Sequence, residues 1–536
     1  MPALHCIIYI ACTGVLFFFL GRILPRNLIN ADNPLLRVRP WEQKLFTLLR
    51  LPAWQNKVPD MSRIFKKLMP PKKLEGNPSN ETLLTMIKEA CVAEIIHTLL
   101  CLTGLWCLKL WPGLWGVVVT LVYILIGNFP FILIQRYNRP RMMKLAERKR
   151  AVSEKRFVSE AHRGVLILSA NTGEGHNACA KAIKEVYDRN GEPCDIIDGL
   201  SFYSLTVSKI VSWTHTFMYR YMPGFFAWAY GASEKKRTAG NFATFFAKRA
   251  AEHLYAFLLD RDYDTLIFVH VFPALLAAAM KEEFDALGIK SCFVATDHTC
   301  SPTVELSNAD RYFIPDAMYT DEFVKGNITR DRIVASGIPV RSAFYTHTDR
   351  ATARAKFGIP ENARHLLVMG GSMGCKSVIR VVDRLAFHLK PDQYVTIICG
   401  NNKKLEKKLG KRFSVLKRVR VLGFVSDVST LMDSADLYLT KPGGLSTTES
   451  AVKGLPMVLI DTVAACERYN MLYYTMQFAA VTAKENHELA NLCRRMLDTP
   501  AWTQRMRESC LSLPRNNAAA IIRDTMNALK SGEANA

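Results

Sequence analysis

Three long apolar segments, all in the first quarter of the chain, constrain this sequence more than any other feature: ALHCIIYIACTGVLFFFLGRILP (3–25), CVAEIIHTLLCLTGLWCLKL (91–110) and GLWGVVVTLVYILIGNFPFILI (113–134). Roughly 20 apolar residues cross a bilayer as a helix, so each is expected to be a span. Only Trp111 and Pro112 separate the second from the third. The two therefore form a hairpin, with a connection too short to hold a domain. No basic stretch precedes the first segment, so it reads as an anchor rather than a cleaved signal peptide.

Charge sets the expected topology. Between 136 and 156 the chain carries Arg136, Arg139, Arg141, Lys144, Arg148, Lys149, Arg150, Lys155 and Arg156 against only Glu147 and Glu154. Basic flanks stay on the cytoplasmic side. The hairpin then returns residues 26–90 to that side, and everything after 135 is expected to be cytoplasmic in a multi-pass cell-membrane protein. A solvated flank accounts for the run, and attraction to an anionic membrane surface adds to it. The formal net charge of +22 also raises nucleic acid as a partner. A nucleic-acid binder explains neither the three spans nor the glycine turns described below, so none is expected. The fourteen cysteines include no C-x-x-C pair, which fits reduced thiols rather than a disulfide frame or a zinc site. With 536 residues, the chain needs more than one core.

From 164 onward the pattern changes. GVLILS is a short apolar strand, SANTGEGHNACAKAI (169–183) a glycine loop leading into a helix, and CDIIDG a second strand. TLIFVH and KSCFVATD continue the series. Strand–helix–strand order predicts a parallel sheet with right-handed crossovers, and ligands bind such sheets beyond the strand C-termini. The glycine loop, Asp198, His270 and Asp297 all fall at such ends. The loop lacks a lysine after its glycines, which argues against a Walker-type phosphate site. Between these strands lies SWTHTFMYRYMPGFFAWAYG (212–231), rich in aromatics and methionine. It is either an ordinary core helix pair or a lipid-facing surface, and the nearby anchor favours the second.

Near 343 a second strand–helix series begins: HLLVMG with the loop GGSMG (370–374), then YVTIICG, RVRVLGFV, DLYLTKPGG and PMVLID. A cleft between two such domains is the expected site. Its most informative turn is KPGGLSTTESAVKG (441–454). Glycines let backbone N–H groups approach a phosphate, and the following helix N-terminus favours its charge. Ser446 and Thr447 add hydroxyls, and Glu449, one turn later, has the reach to grip two ribose hydroxyls. The same order also makes a capped turn, but the full set favours a nucleotide diphosphate.

Four blocks in order resemble the family 28 glycosyltransferases, in particular those that glycosylate diacylglycerol (the monogalactosyldiacylglycerol synthases and processive diacylglycerol glucosyltransferases). These are SANTGEGHNACAKAI, MYRYMPGFFAWAY, the stretch from VATDHTCSPTVE to GIPVRSAF, and KPGGLSTTESAVKGLPMVL followed by ACERYN. Ser301, Val304 and Cys466 depart from the pattern, leaving sugar and acceptor open. The resemblance covers about 163–530. It implies an α/β GT-B fold, two Rossmann-like doubly wound domains behind an α-helical membrane region: residues 1–150 membrane, 160–343 acceptor and 344–530 donor. It further implies an inverting hexosyltransferase that uses UDP-glucose or UDP-galactose, a membrane lipid acceptor, and no cofactor or metal. His176 and Asp297 would be catalytic, with base and orienter unranked. Gly371, Ser372, Gly443, Gly444, Ser446 and Thr447 would lie near the diphosphate, Glu449 on ribose, Glu467 and Asn470 near the hexose, and Phe424 and Val425 at the base. Two alternatives stay open: a polyprenyl or carotenoid lipid acceptor, and a non-catalytic, membrane-tethered UDP-sugar-binding protein.

About 10–145 resemble a different family, the glycosyl-diaponeurosporenoate acyltransferases, through IKEACVAEIIHTLL and GNFPFILIQRYNRPRM. Glu94 and His97 stand at i and i+3, on one helix face. A carboxylate orienting a histidine beside lipid is one expectation for this pair, and an interfacial packing pair is the other.

Overall fold

The computed structural model describes residues 2–24, 26, 29–58, 77–160, 164–171, 173–222, 224–225, 240–370, 376–460 and 465–533. Three of its helices are long and apolar enough to cross a membrane: Pro2–Ile23, Asn80–Leu110 and Leu114–Ser159. The second begins at a Ser79 cap, whose hydroxyl accepts from the Thr82 N–H. The chain turns at Gly113, whose φ of +101° favours glycine. Tyr123–Asn128 then forms a π-helical stretch inside the returning arm.

Both arms outrun the expected spans. They hold 31 and 46 residues, which at 1.5 Å per residue is about 46 Å and about 69 Å, against roughly 30 Å of hydrocarbon. The excess is not a loose flank. Helix Gly240–Leu259 of the following domain packs on both arms, with the Tyr255 hydroxyl donating to Glu154 at 2.8 Å and Arg150 lying over the Tyr255 ring. Asp260 caps the second helix from outside, accepting from the Asn80 N–H at 3.2 Å, the Asn80 side-chain amide at 2.9 Å and the Glu81 N–H at 3.1 Å. The basic stretch expected to be solvated is therefore partly built into the protein. Its Arg139 is 1% exposed.

Two six-stranded, all-parallel sheets follow. The first contains β1 (Gly164–Ser169), β2 (Cys194–Asp198), β3 (Tyr263–Phe268), β4 (Lys290–Val294), β5 (Arg311–Ile314) and β6 (Ile333–Ala335), in the order 2-1-3-4-5-6. The second contains β7 (Arg364–Met369), β8 (Gln393–Ile398), β9 (Val419–Leu422), β10 (Leu437–Thr440), β11 (Met457–Leu459) and β12 (Ala480–Thr482), in the order 9-8-7-10-11-12. This is the two-Rossmann-domain GT-B architecture. β1, β7 and β10 are buried along their length apart from Arg364 and Met369 at the two ends of β7, so their interiors read as continuous apolar runs. In each sheet the chain reverses its direction of travel beside the first strand, between β1 and β3 and between β7 and β10, and the crevice at such a reversal is where ligands bind. The glycine loop follows β1 and the KPGG turn follows β10.

The last helix, Ala518–Ser531, crosses back to the first sheet's domain. Arg523 pairs with Glu192 and Lys530 with Asp264, while Ile522 and Met526 share a core with Val165 and Cys292. The expected boundary at 344 thus divides the strands, but not this helix.

Candidate functional site

The glycine loop delivers His176 to the third position of helix Glu174–Arg189. A chain of hydrogen bonds holds the loop: Ser169 Oγ to Asn177 Oδ1 at 2.8 Å, Asn177 Nδ2 to Asn171 Oδ1 at 3.1 Å, and Asn171 Nδ2 to Asp198 Oδ2 at 3.1 Å. Asp198 also caps the turn after β2 through the Leu200 N–H. His270 caps helix Val271–Ala278 and stands edge-on to His176, with ring centroids 4.6 Å apart.

His176 Nδ1 lies 2.7 Å from the Val269 carbonyl oxygen. A carbonyl can only accept, so Nδ1 carries the proton and Nε2 keeps the lone pair. Burial pushes the imidazole pKa below its ordinary value, against the opposing pull of Asp297 and of the Val269 bond. The result is a neutral imidazole near physiological pH, the form a general base needs. Asp297 does not bond the imidazole directly. Thr296 Oγ1 stands between them, 3.3 Å from His176 Nδ1 and 3.5 Å from Asp297 Oδ2. Sequence reasoning passed over Thr296.

The KPGG turn meets this pair from the other domain. A Cβ on Gly444 would lie 1.9 Å from the Thr296 carbonyl oxygen and 3.1 Å from Asp297 Oδ1. Only glycine allows this approach of the two backbones. Helix Gly444–Val452 starts here with no side-chain cap, so its first N–H groups face the crevice without that partner. Ser446 Oγ lies 3.2 Å from the Gly443 carbonyl. Thr447 is fully buried, and its hydroxyl donates back to the Gly443 and Gly444 carbonyls at 2.8 and 3.1 Å. In this arrangement the hydroxyl serves the helix, because a β-branched hydroxyl at this position reaches the preceding turn.

Glu449 lies one turn in. Burial raises its carboxyl pKa from 4.5 to about 7, with Arg341 pulling the other way. Glu467 is buried and pairs with Lys441 at 2.9 Å. Asn470 is fully buried, with both ends of its amide engaged across the cleft. Phe424 is exposed beyond β9, and Val425 packs against the core shared by the two domains. Gly371 and Ser372 lie outside the described residues. The structure therefore brings His176, Asp297, Gly443, Gly444, Ser446, Glu467 and Asn470 to one interdomain seam, with Glu449 one turn behind.

The aromatic stretch begins as helix Leu205–Tyr221. Ile210, Trp213 and Phe217 are exposed, with Trp213 at 65%, and the Trp213 and Phe217 rings stack at 5.2 Å. That stripe is not the inside of a core helix pair. Residues 223 and 226–231 of this stretch lie outside the described residues.

In the hairpin, the expected Glu94–His97 partnership is replaced by two separate ones. Glu94 is taken by Arg136 and Arg139, and Arg136 also binds Glu42 at 2.7 Å. The arginines fasten residues 35–37 as well, through the Leu35, Leu36 and Arg37 carbonyls. His97 turns to Asn128 of the π-helical stretch, Nδ1 to Oδ1 at 2.9 Å, and stacks on Phe131. A guanidinium is always charged and offers a fork of donors, so at hydrogen-bond distance it claims the buried carboxylate and leaves the imidazole to Asn128.

Comparison with known proteins agrees with this division of the chain. Residues 32–148 match the model of glycosyl-4,4'-diaponeurosporenoate acyltransferase, residues 176–340 that of monogalactosyldiacylglycerol (MGDG) synthase, and residues 365–511 the glycosyltransferase family 28 C-terminal domain. The processive diacylglycerol beta-glucosyltransferase of Bacillus mycoides (strain KBAB4) is 25% identical over 376 residues, covering 69% of this chain and 95% of the relative. That of Bacillus cereus (strain 03BB102) is 26% identical over 367 residues, covering 68% and 92%. Among solved structures, MurG of Acinetobacter baumannii is 16% identical with a TM-score of 0.45, covering 68% of this chain and 99% of that one. The two Rossmann-like domains are thus similar to those of family 28 glycosyltransferases and, over most of their length, to the diacylglycerol glucosyltransferases.

Proposed function

We propose that this relative of the diacylglycerol glucosyltransferases moves a hexosyl group from UDP-glucose or UDP-galactose to diacylglycerol or a similar lipid, at the cytoplasmic leaflet of the membrane that holds its hairpin. One observation carries the reading: the uncapped helix behind Gly443–Gly444 is pressed against the strand end that bears Thr296 and Asp297, beside His176. A site for a diphosphate and a neutral base thus share one seam.

In the reaction, the helix N-terminus and the glycine N–H groups hold the diphosphate, and Glu449 accepts from the ribose hydroxyls. The lipid hydroxyl gives its proton to His176 Nε2 as its oxygen attacks the anomeric carbon. The bond from that carbon to the diphosphate breaks with its electron pair leaving on UDP, so the anomeric configuration inverts. The diphosphate leaves toward fixed N–H groups, whose charge stabilisation requires no reorganisation at that moment. No cofactor beyond the donor sugar enters this scheme. The exposed Ile210–Trp213–Phe217 stripe is the surface on which the lipid acceptor is drawn from the bilayer.

The decisive test incubates membranes carrying the protein with radiolabelled UDP-glucose or UDP-galactose and diacylglycerol. Label is expected in lipid with wild type. Replacing His176 by Ala should cost about 10²–10⁴-fold. UDP binding without any label in lipid would replace the enzyme by a UDP-sugar-binding protein.

A second reading concerns the hairpin, and the match over 32–148 together with the His97–Asn128 pair favours it. Here the membrane region acylates the glycolipid made by the two Rossmann domains: His97 takes the proton of a sugar hydroxyl, whose oxygen forms the ester with the acyl carbon of an acyl thioester as the thiolate leaves. Mass spectra of lipids from His97→Ala cells that are identical to those of wild type would remove it.

A further inference from the structure

Asn470 is the only residue at the seam whose side chain bonds both sides of the acceptor-domain loop after β4, among the described residues. It stands in helix Ala465–Met476 of the donor domain. Its Oδ1 accepts from the His298 N–H at 2.8 Å and lies 3.1 Å from His298 Nδ1. Its Nδ2 donates to Asp297 Oδ1 at 2.7 Å and to the Pro442 carbonyl at 3.1 Å. One amide therefore ties the KPGG turn, Asp297 and His298 together. Its orientation is fixed, because only the NH₂ end can donate to a carboxylate and only the oxygen can accept from a backbone N–H. His298 is buried and stacked on Tyr473 with centroids 4.0 Å apart, so the far end of the clasp is rigid as well. Burial pushes its pKa down to about 4, which keeps it neutral.

We propose that Asn470 is a positioning residue: reaching across from the donor domain, it orients the Asp297 carboxylate that stands beside Thr296 and His176, so that the base assembly is complete only when the domains are closed. The inference rests on the glycosyl-transfer reading. It differs from the hexose contact that the sequence resemblance implies for this position, because in the closed arrangement both ends of the amide are already spent on protein. It also gives the closure a chemical purpose. A donor domain that has not swung in leaves Asp297 without its Asn470 bond, and the base set is incomplete until donor and acceptor sites face each other.

The groups facing Asp297 are His176 and Thr296 from the acceptor domain, its neighbour His298, and Cys466 from the donor domain, which itself faces the Lys441–Glu467 pair. Removing the Asn470 bond leaves this set intact and changes only how the carboxylate is held. The experiment is a double-mutant cycle in the full-length, membrane-embedded protein, with Asn470→Ala, Asp297→Asn and the pair, read as kcat and KM for the UDP-sugar across pH 5.5–9. Asn470→Ala should lower kcat by about 10–100-fold, in line with the cost of a misplaced catalytic group, and leave KM for the donor within about 3-fold. It should have little further effect once Asp297 is Asn, since residues acting through one another are non-additive. Asn470→Asp keeps the acceptor for the His298 N–H and sets a second carboxylate against Asp297, so the acidic limb of the kcat/KM profile should move to higher pH. Binding of UDP by each variant checks that the fold survives. Additive losses, or a donor KM that rises while the pH profile stays fixed, would overturn the proposal in favour of a sugar contact. Wild-type protein that transfers no sugar would instead sink the glycosyl-transfer reading itself.

Discussion

Two carboxylates, Glu94 in the hairpin and Glu449 in the cleft, show how burial is used for opposite ends. Glu94 is buried between two guanidiniums, which also fasten Glu42 and the 35–37 backbone. Glu449 is half-buried with Arg341 only as an electrostatic neighbour, and desolvation raises its pKa to about 7. A satisfied buried charge is a fastening. A desolvated carboxylate held without a close cation carries a cost that a ligand rich in hydroxyl donors can relieve.

The largest expected effect falls on the fastening. Glu94→Gln strands two arginines, and breaking such a buried cluster costs about 3–5 kcal/mol, to be read as a lower thermal midpoint in detergent. A midpoint unchanged from wild type would erase the contrast. The cleft should respond in the opposite sense. Below pH 4.5 Glu449 is protonated in both folded and unfolded chains; as pH rises through 7, the unfolded chain ionises first and folded stability is lost. Glu449→Gln should therefore stabilise the protein at pH 8, by at most ~3 kcal/mol for a shift of this size, with the gain gone at pH 4.5. The same substitution should weaken UDP binding about 10–100-fold, the loss of a charged acceptor. In wild type, UDP affinity should rise about tenfold between pH 6 and pH 8 as the carboxylate ionises, and calorimetry over that range would detect a flat response. The smallest effect concerns a third carboxylate: Asp260→Ala removes the cap on Asn80 and Glu81 and should cost about 1 kcal/mol, seen as faster amide exchange at residues 80–83.

Local pattern made the sheets legible. β1, β7 and β10 are apolar runs that end in glycine turns, and the two crevices followed from their order. Strands of three or four residues such as β5, β6 and β12 offer too little pattern to stand out. Glu94 and His97 share a helix face in sequence, but the partners that decide their roles lie on the returning arm, Arg136 and Arg139 for one and Asn128 for the other. Side-chain spacing along one helix cannot rank such competitors. Asn470 and Asp297 are 173 residues apart, and the bond between them exists only because two domains close. Thr447 illustrates a simpler limit of sequence reading. A hydroxyl in a glycine turn has two customers, the ligand and its own helix, and burial decides between them.

The capped, overlong arms of the hairpin have a consequence for the product. Because Asp260 and helix Gly240–Leu259 lock those arms to the acceptor domain, the glycine loop is held at a fixed distance from the apolar reach of the arms and does not wander on a leash. That distance then acts as a ruler. On the proposed reading, a lipid hydroxyl would reach His176 only if its headgroup spanned that distance. Inserting one helical turn, about 5.4 Å, into both arms would recalibrate that ruler, and the yield of labelled lipid in the transfer assay would record the change.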